Sequence, residues 1–468
     1  MDREFDVVVL GAGIVGVCIA LQLQRSGQRT ALLDRRGPGA GASFGNAGLI
    51  QSEAVNPQMF PRDVRVLMRY ARNRSIDASY HPSALAQFLG PFFDYWRNST
   101  PERMQAIANA RAPLILPSTA DHHTLAEAAG AQHLLRPTGW TQVYRSASAL
   151  EKAAGDASAL RQRFGVPSEL LDSSALQGQE PALKSGLAGA IHWPGPLAVS
   201  DPQLLTLAYC GLFERLGGRL LRGDARTLRA DAGAWQVLSD EGPVSAGHAV
   251  VALGAWAPEV TRSFGYAPPL FVKRGYHMHF AMEAGRTLRR PVLDAERGYF
   301  LAPMQQGLRL TTGAEFAGRD ARPTAVQLER AVPVAHALVP CLRGPIDEKP
   351  WLGSRPCLPD MLPIIGPAPG VPKLWYSFGH GHQGLTMAAT TARLIVAMIL
   401  GQPLFLDPHP YRAERFAQAR SIPTRGTPQE NPRSRIPHAT GDDQRAYAIG
   451  AVRRRRAHHR IAHDQRRR

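Results

Sequence analysis

Six residues near the start of the chain, Gly11, Ala12, Gly13, Ile14, Val15 and Gly16, have the GxGxxG spacing that seats a pyrophosphate at a helix N-terminus. Gly11 allows a tight turn, Gly13 lets the backbone approach phosphate, and Gly16 lets helix and strand pack closely. Asp34 stands twenty-three residues after Gly11, where an acid accepts ribose hydroxyls, with Arg35 beside it. An acid at this position disfavours the 2′-phosphate of NADP and leaves NAD and FAD open. The run 41–48 follows closely, and its Ser43, Asn46, Ala47 and Gly48 suit a loop lying over a flavin and its ribityl chain. The run 249–256 has the strand-then-glycine form of a second dinucleotide contact at Gly254, although an ordinary core strand and turn reads equally well.

These residues need a βαβ unit to position them, and the apolar patterning predicts one over residues 5–35. Helical patterns are expected at 87–97, 103–130, 203–216 and 385–400. Strand-like runs are expected at 140–145, 189–193 and 374–378, with sheet-like alternation over 268–316. At 379–386 a glycine-rich turn meets the N-terminus of the last helix. Backbone N–H groups of Gly379, Gly381, Gly384, Leu385 and Thr386 converge there with His380 and His382. Such a helix end stabilises developing negative charge.

The chain has 468 residues, of which 44% are hydrophobic and 20% charged, so two connected soluble domains are expected. Cys18, Cys210, Cys341 and Cys357 are scattered, which argues against a disulfide scaffold or a metal site and fits a reducing compartment. No signal-peptide pattern precedes the first strand, and no apolar run is long enough to span a bilayer. The expected location is cytoplasmic, with room for peripheral contact on the inner face of the cell membrane. Residues 417–468 hold thirteen arginines against four acids, a net of +9 out of the total of +17. That segment has no apolar stripe and is expected to be a disordered basic tail. Nucleic-acid binding through it is the weaker reading.

The chain resembles the FAD-dependent D-amino acid oxidase family, most closely its bacterial D-amino acid dehydrogenases. The similarity covers residues 6–416. It rests on 11–16 with Asp34, 43–48, 180–183, 273–277, the Arg355-Pro356 pair within 351–356, 359–366 and 379–386. The resemblance implies an α/β (α+β overall) architecture, with a glutathione-reductase-like FAD-binding Rossmann domain and an interleaved mixed-sheet substrate domain. Residues 1–80, 185–265 and 345–416 are expected to form the first domain, and 81–184 with 266–344 the second. Bound FAD is expected to be non-covalent, because Cys357 does not fall where related sarcosine oxidases tether flavin.

The implied reaction is hydride transfer from an amino acid's Cα to flavin N5, followed by hydrolysis of the imine to a 2-oxo acid and ammonia. Electrons would pass to a quinone or another electron-transfer acceptor. The alternatives on the same scaffold are a D-hydroxyproline or other cyclic imino-acid oxidoreductase, a sarcosine- or glycine-type enzyme, and the flavin subunit of a heteromeric dehydrogenase. A substrate carboxylate calls for a bidentate arginine. Arg355 is preferred and Arg274 second. Tyr276 and His277 lie on opposite faces of one strand, and Tyr276 is favoured to point into the site. The oxidases' carboxylate-binding arginine follows a proline on a later strand, but Pro303 here is followed by Met304.

Overall fold

Strand Phe5–Leu10 is buried on both faces, with Val7 through Leu10 wholly shielded, as a central parallel strand requires. It pairs in parallel with Thr30–Asp34 on one side and Gly242–Val251 on the other. Arg219–Asp231 extends the sheet beyond Thr30–Asp34, and Leu374–Phe378 extends it beyond Gly242–Val251, both in parallel. Ile364–Pro367 closes one edge antiparallel to Leu374–Phe378. The far ends of Arg219–Asp231 and Gly242–Val251 are joined through Ala234–Ser239 in an antiparallel meander, completing seven strands.

Period-two alternation divides the core of this sheet. Val7 and Val9 pack in one apolar cluster with helices Ile14–Arg25 and Gly384–Ile399, which also pack on each other. Val8 and Leu10 face a second cluster containing Trp235 and Tyr376. Helix Gly384–Ile399 is buried along most of its length, consistent with its nearly continuous apolar sequence.

An eleven-stranded mixed sheet is organised on Phe271–Met282, which pairs antiparallel with Gly307–Thr311, Ala314–Phe316, Leu342–Pro345 and Trp351–Cys357. Helix Val326–Leu338 covers part of it. The segments expected for the cofactor domain contribute all seven strands of the first sheet. They also send Ala78–Tyr80, Gly189–Trp193 and Trp351–Cys357 into the larger one.

The computed structural model describes residues 4–419, so the expected tail lies, from residue 420 on, outside the described residues. The single helix expected over 103–130 is two, Pro101–Ile115 and Ser118–Ala129. Pro117 has no N–H to carry the helical ladder across that point.

Candidate active site

A cavity of about 1140 Å³ lies among the segments that the sequence singled out. At one end, Gly11 turns with φ +106°, and a Cβ there would meet the carbonyl oxygen of Ala252 at 2.6 Å. A Cβ on Gly16 would lie 1.8 Å from the oxygen of Gly11. Both glycines are therefore fixed by packing. Gly13 differs: a Cβ there would touch only the Ser43 hydroxyl, at 3.5 Å, and its open side faces the cavity. That cradle, at the N-terminus of helix Ile14–Arg25, fits a dinucleotide pyrophosphate.

The Asp34 carboxylate accepts hydrogen bonds from the backbone N–H groups of Ala12 (2.9 Å), Arg36 (2.7 Å) and Gly37 (3.2 Å). It borders the cavity with Arg35, where its remaining lone pairs suit ribose hydroxyls. Beyond it, Trp256 is flanked by the guanidinium groups of Arg36 and Arg319 at 5.1 and 5.3 Å. Ser43 accepts from Ile14 N at 2.9 Å. Ile14, Val15, Asn46, Ala47 and Gly254 complete this part of the lining.

The loop carrying Asn46 is held from outside the cavity. Arg309 Nη1 donates to the carbonyls of Phe44 (3.2 Å) and Asn46 (2.6 Å). Its Nε donates to His279 Nε2 at 2.9 Å, so the imidazole proton sits on Nδ1 and is donated to Asp347 at 2.8 Å.

The opposite end of the cavity is formed by 379–386 and the paired strands Phe271–Met282 and Trp351–Cys357. Gly381, His380, His382, Gly384 and Leu385 border it. The first-turn N–H groups of helix Gly384–Ile399 have no acceptors within the helix. They suit the electron-accepting end of a flavin. In register, Lys273 lies opposite Arg355 and Gly275 opposite Gly353, all bordering the cavity. Arg355 donates to the carbonyls of Gly313 (2.6 Å) and Thr312 (3.1 Å) and has no carboxylate partner among the described residues. Its guanidinium lies over Gly275, where a Cβ would come within 2.3 Å of Nη2. Lys273 Nζ donates to the Tyr95 hydroxyl at 3.0 Å.

Charge in this region is positive. Burial holds His382 well below the usual imidazole range, and Arg111, Arg355 and Lys273 push the same way. Burial likewise takes His380 down to about 4, and its Nε2 meets Thr391 Oγ1 at 3.2 Å. Both imidazoles are neutral at pH 7, and the standing charge belongs to Arg111, Arg355 and Lys273. Among the described residues, Glu53 is the only buried carboxyl on the cavity wall. Its Oε1 accepts from Trp140 Nε1 (2.9 Å) and Gln51 Nε2 (3.0 Å), Oε2 has no partner, and burial pushes the carboxyl up to about 7.

Seven sequence candidates do not border the cavity. Arg274 and Tyr276 occupy the other face of their strand, wholly buried, with Arg274 Nε 2.9 Å from Glu315 and the Tyr276 hydroxyl donating to Glu315 at 3.0 Å. The inward face is that of Lys273 and Gly275, so neither residue reaches a substrate there. Ala12 and Gly16 pack beneath the turn. Gly48 is confined by Met304 and the Val199 carbonyl, and Gly379 by Leu358. Thr386 Oγ1 accepts from Gln51 N at 3.1 Å, tying the two loops together. Lys273, Glu53 and Trp351 join the site without having been singled out. For Lys273 the available signal was strand alternation, which sets it on the face opposite Arg274 and Tyr276.

The family model described as DAO, FAD dependent oxidoreductase, matches residues 6–398. A D-amino-acid oxidase of Bradyrhizobium diazoefficiens is 30% identical over 427 residues, covering 89% of this chain and 100% of that protein. A D-amino acid dehydrogenase of Cereibacter sphaeroides is 30% identical over 431 residues, covering 88% and 95%. The crystal structure of glycine oxidase from Geobacillus kaustophilus shares the fold, with a TM-score of 0.70 at 22% identity over 88% of this chain and 99% of that one. The phosphate cradle at Gly13, the acid at Asp34 and the second helix end at Gly384 fit the dinucleotide this family uses. On the match across nearly all of the described residues, the chain belongs to the DAO family of FAD-dependent oxidoreductases.

Proposed function

We propose that this protein oxidises the amine of a D-amino acid to a 2-oxo acid and ammonia, with Arg355 anchoring the substrate carboxylate. The observation that carries this reading is Arg355 itself, a cavity-bordering guanidinium held by two carbonyls and lacking a carboxylate partner among the described residues. Two of its five N–H donors are engaged, and a carboxylate accepts two more in parallel. Lys273 adds a second positive charge on the same face. Glu53, with no ion pair among the described residues and one oxygen without a partner, complements the substrate's ammonium group.

FAD bound in the cavity would supply the hydride acceptor for the Cα hydrogen. Neutral His380 and His382 bring no competing charge to the carboxylate, and the helix end at Gly384 and Leu385 favours electron acceptance beside it. Met304 packs on Gly48 instead of bordering the cavity, so the position after Pro303 supplies no carboxylate ligand, in keeping with that role for Arg355. Non-covalent FAD and a quinone or related acceptor complete the proposal. The relatives' names include both oxidase and dehydrogenase. Anaerobic flavin bleaching across D- and L-amino acids, glycine, sarcosine and D-proline tests the reading. Bleaching by D-amino acids is expected, and reduction by glycine or sarcosine alone would overturn it.

A further inference from the structure

Helix Val64–Ala71 contributes no residue to the buried core. Val64 and Met68, one turn apart, are 69% and 57% exposed. On helix Leu85–Arg97, Leu85, Leu89, Phe93 and Trp96 recur at helical spacing on the outer side, with Leu89 70% exposed. The segment leading into the first helix touches the second: Arg62 stacks on the Trp96 ring at 4.4 Å, and Phe60 packs on Phe92 and Tyr95. Single exposed leucines are ordinary, but an apolar row on each of two helices that follow one another in the chain calls for a cover.

Charge identifies the cover. Exposed Arg62, Arg65, Arg69, Arg72, Arg74 and Arg97 flank the row, against Asp63, Asp77 and Asp94 in the same stretch, a net of +3. A second copy of the chain would set these arginines against their own counterparts. Residues 417–468 carry the same sign. A Trp/Phe/Leu face bordered by arginines suits the headgroup layer of an anionic bilayer.

We infer that helices Val64–Ala71 and Leu85–Arg97 form a docking face for an anionic lipid surface. The inner sides of the same helices, through Leu67, Tyr70, Leu85 and Phe92, line the cavity, and Leu85 is exposed as well. The docked face therefore sets the cavity wall against lipid. On the oxidoreductase reading above, an apolar acceptor dissolved in the bilayer meets the cavity there.

The test uses full-length protein and the double variant Leu89→Ser/Phe93→Ser, neither position bordering the cavity. Each is pelleted with phosphatidylglycerol–phosphatidylcholine vesicles at low salt and at about 0.5 M salt, where exposed charges are screened within a few ångströms. The wild type is expected to bind at both. The variant should bind roughly tenfold more weakly at low salt and be released at high salt, with flavin content and dye turnover unchanged. Equal binding of the two proteins at every salt would assign the attachment to charge alone and overturn the proposal. So would a wild-type dimer that the substitutions split, or a wild type that never pellets. Dye turnover requires no lipid, so its absence from the wild type would count against the oxidoreductase reading and leave the docking face standing.

Discussion

Replacing Arg355 by lysine separates a bidentate anchor from a point charge. The guanidinium spends one N–H on the Gly313 carbonyl at 2.6 Å and one on Thr312 at 3.1 Å, leaving three donors for a carboxylate that needs two. A lysine ammonium has three donors; with the same two carbonyls satisfied, one remains. The variant thus loses one charge-assisted hydrogen bond to substrate, about 1.5–3 kcal/mol, or roughly 10- to 150-fold in kcat/KM. Both carbonyls keep a donor, so flavin content and Tm should hold. The assay is steady-state reduction of a dye acceptor with a D-amino acid that bleaches the flavin, over substrate concentrations spanning KM. If Arg355→Lys stays within about threefold of wild type while Lys273→Met loses a hundredfold, the anchor is Lys273 and the donor count above is wrong.

Three further outcomes follow from neighbouring geometry. Gly275→Ala places a methyl 2.3 Å from Arg355 Nη2 and should raise KM by roughly tenfold at unchanged flavin absorbance; an unaltered KM would show that the guanidinium sits elsewhere when substrate binds. Asp34→Ala removes an acceptor for three backbone N–H groups as well as for ribose, and FAD titration should show affinity lower by about 1.5–3 kcal/mol per lost charge-assisted bond; full retention would place the ribose elsewhere. Burial raises the Glu53 carboxyl from its usual 4.5 to about 7, so the folded state holds a proton that the unfolded chain releases, and stability falls as pH rises through that window. Urea unfolding of Glu53→Gln relative to wild type should therefore improve by about 3 kcal/mol between pH 4 and pH 8, whereas a constant difference would mean that Glu53 ionises normally.

The cofactor end of the site was legible because its signals are local. Gly11, Gly13 and Asp34 lie within one βαβ unit, where spacing alone fixes their relative placement. Helix Gly384–Ile399 announced itself by an apolar run too long for a strand. Along Lys273–His277, alternation sorted the side chains into two faces but could not say which was inward. That depends on pairing with Trp351–Cys357 and on Glu315 waiting on the far side. Glu53 carried no motif, since its hydrogen-bond partner Trp140 lies eighty-seven residues away. Gly48 and Gly379 looked like cofactor glycines, yet Met304 and Leu358 demand their missing side chains. A sequence does not distinguish a glycine cleared for a ligand from one cleared for a neighbour.

The order in which the chain revisits the first sheet also sets a schedule for biosynthesis. Phe5–Leu10 needs Gly242–Val251 beside it, and that strand in turn needs Leu374–Phe378. A nascent chain that has only just emerged through residue 350 already carries the phosphate cradle and Asp34. It still lacks Arg355, the last parallel strand and the helix starting at Gly384. The cavity therefore closes only after the segments beyond residue 350 have left the ribosome. Until then the apolar strand Gly242–Val251 has an edge waiting for Leu374–Phe378, so folding competes with aggregation until late in translation.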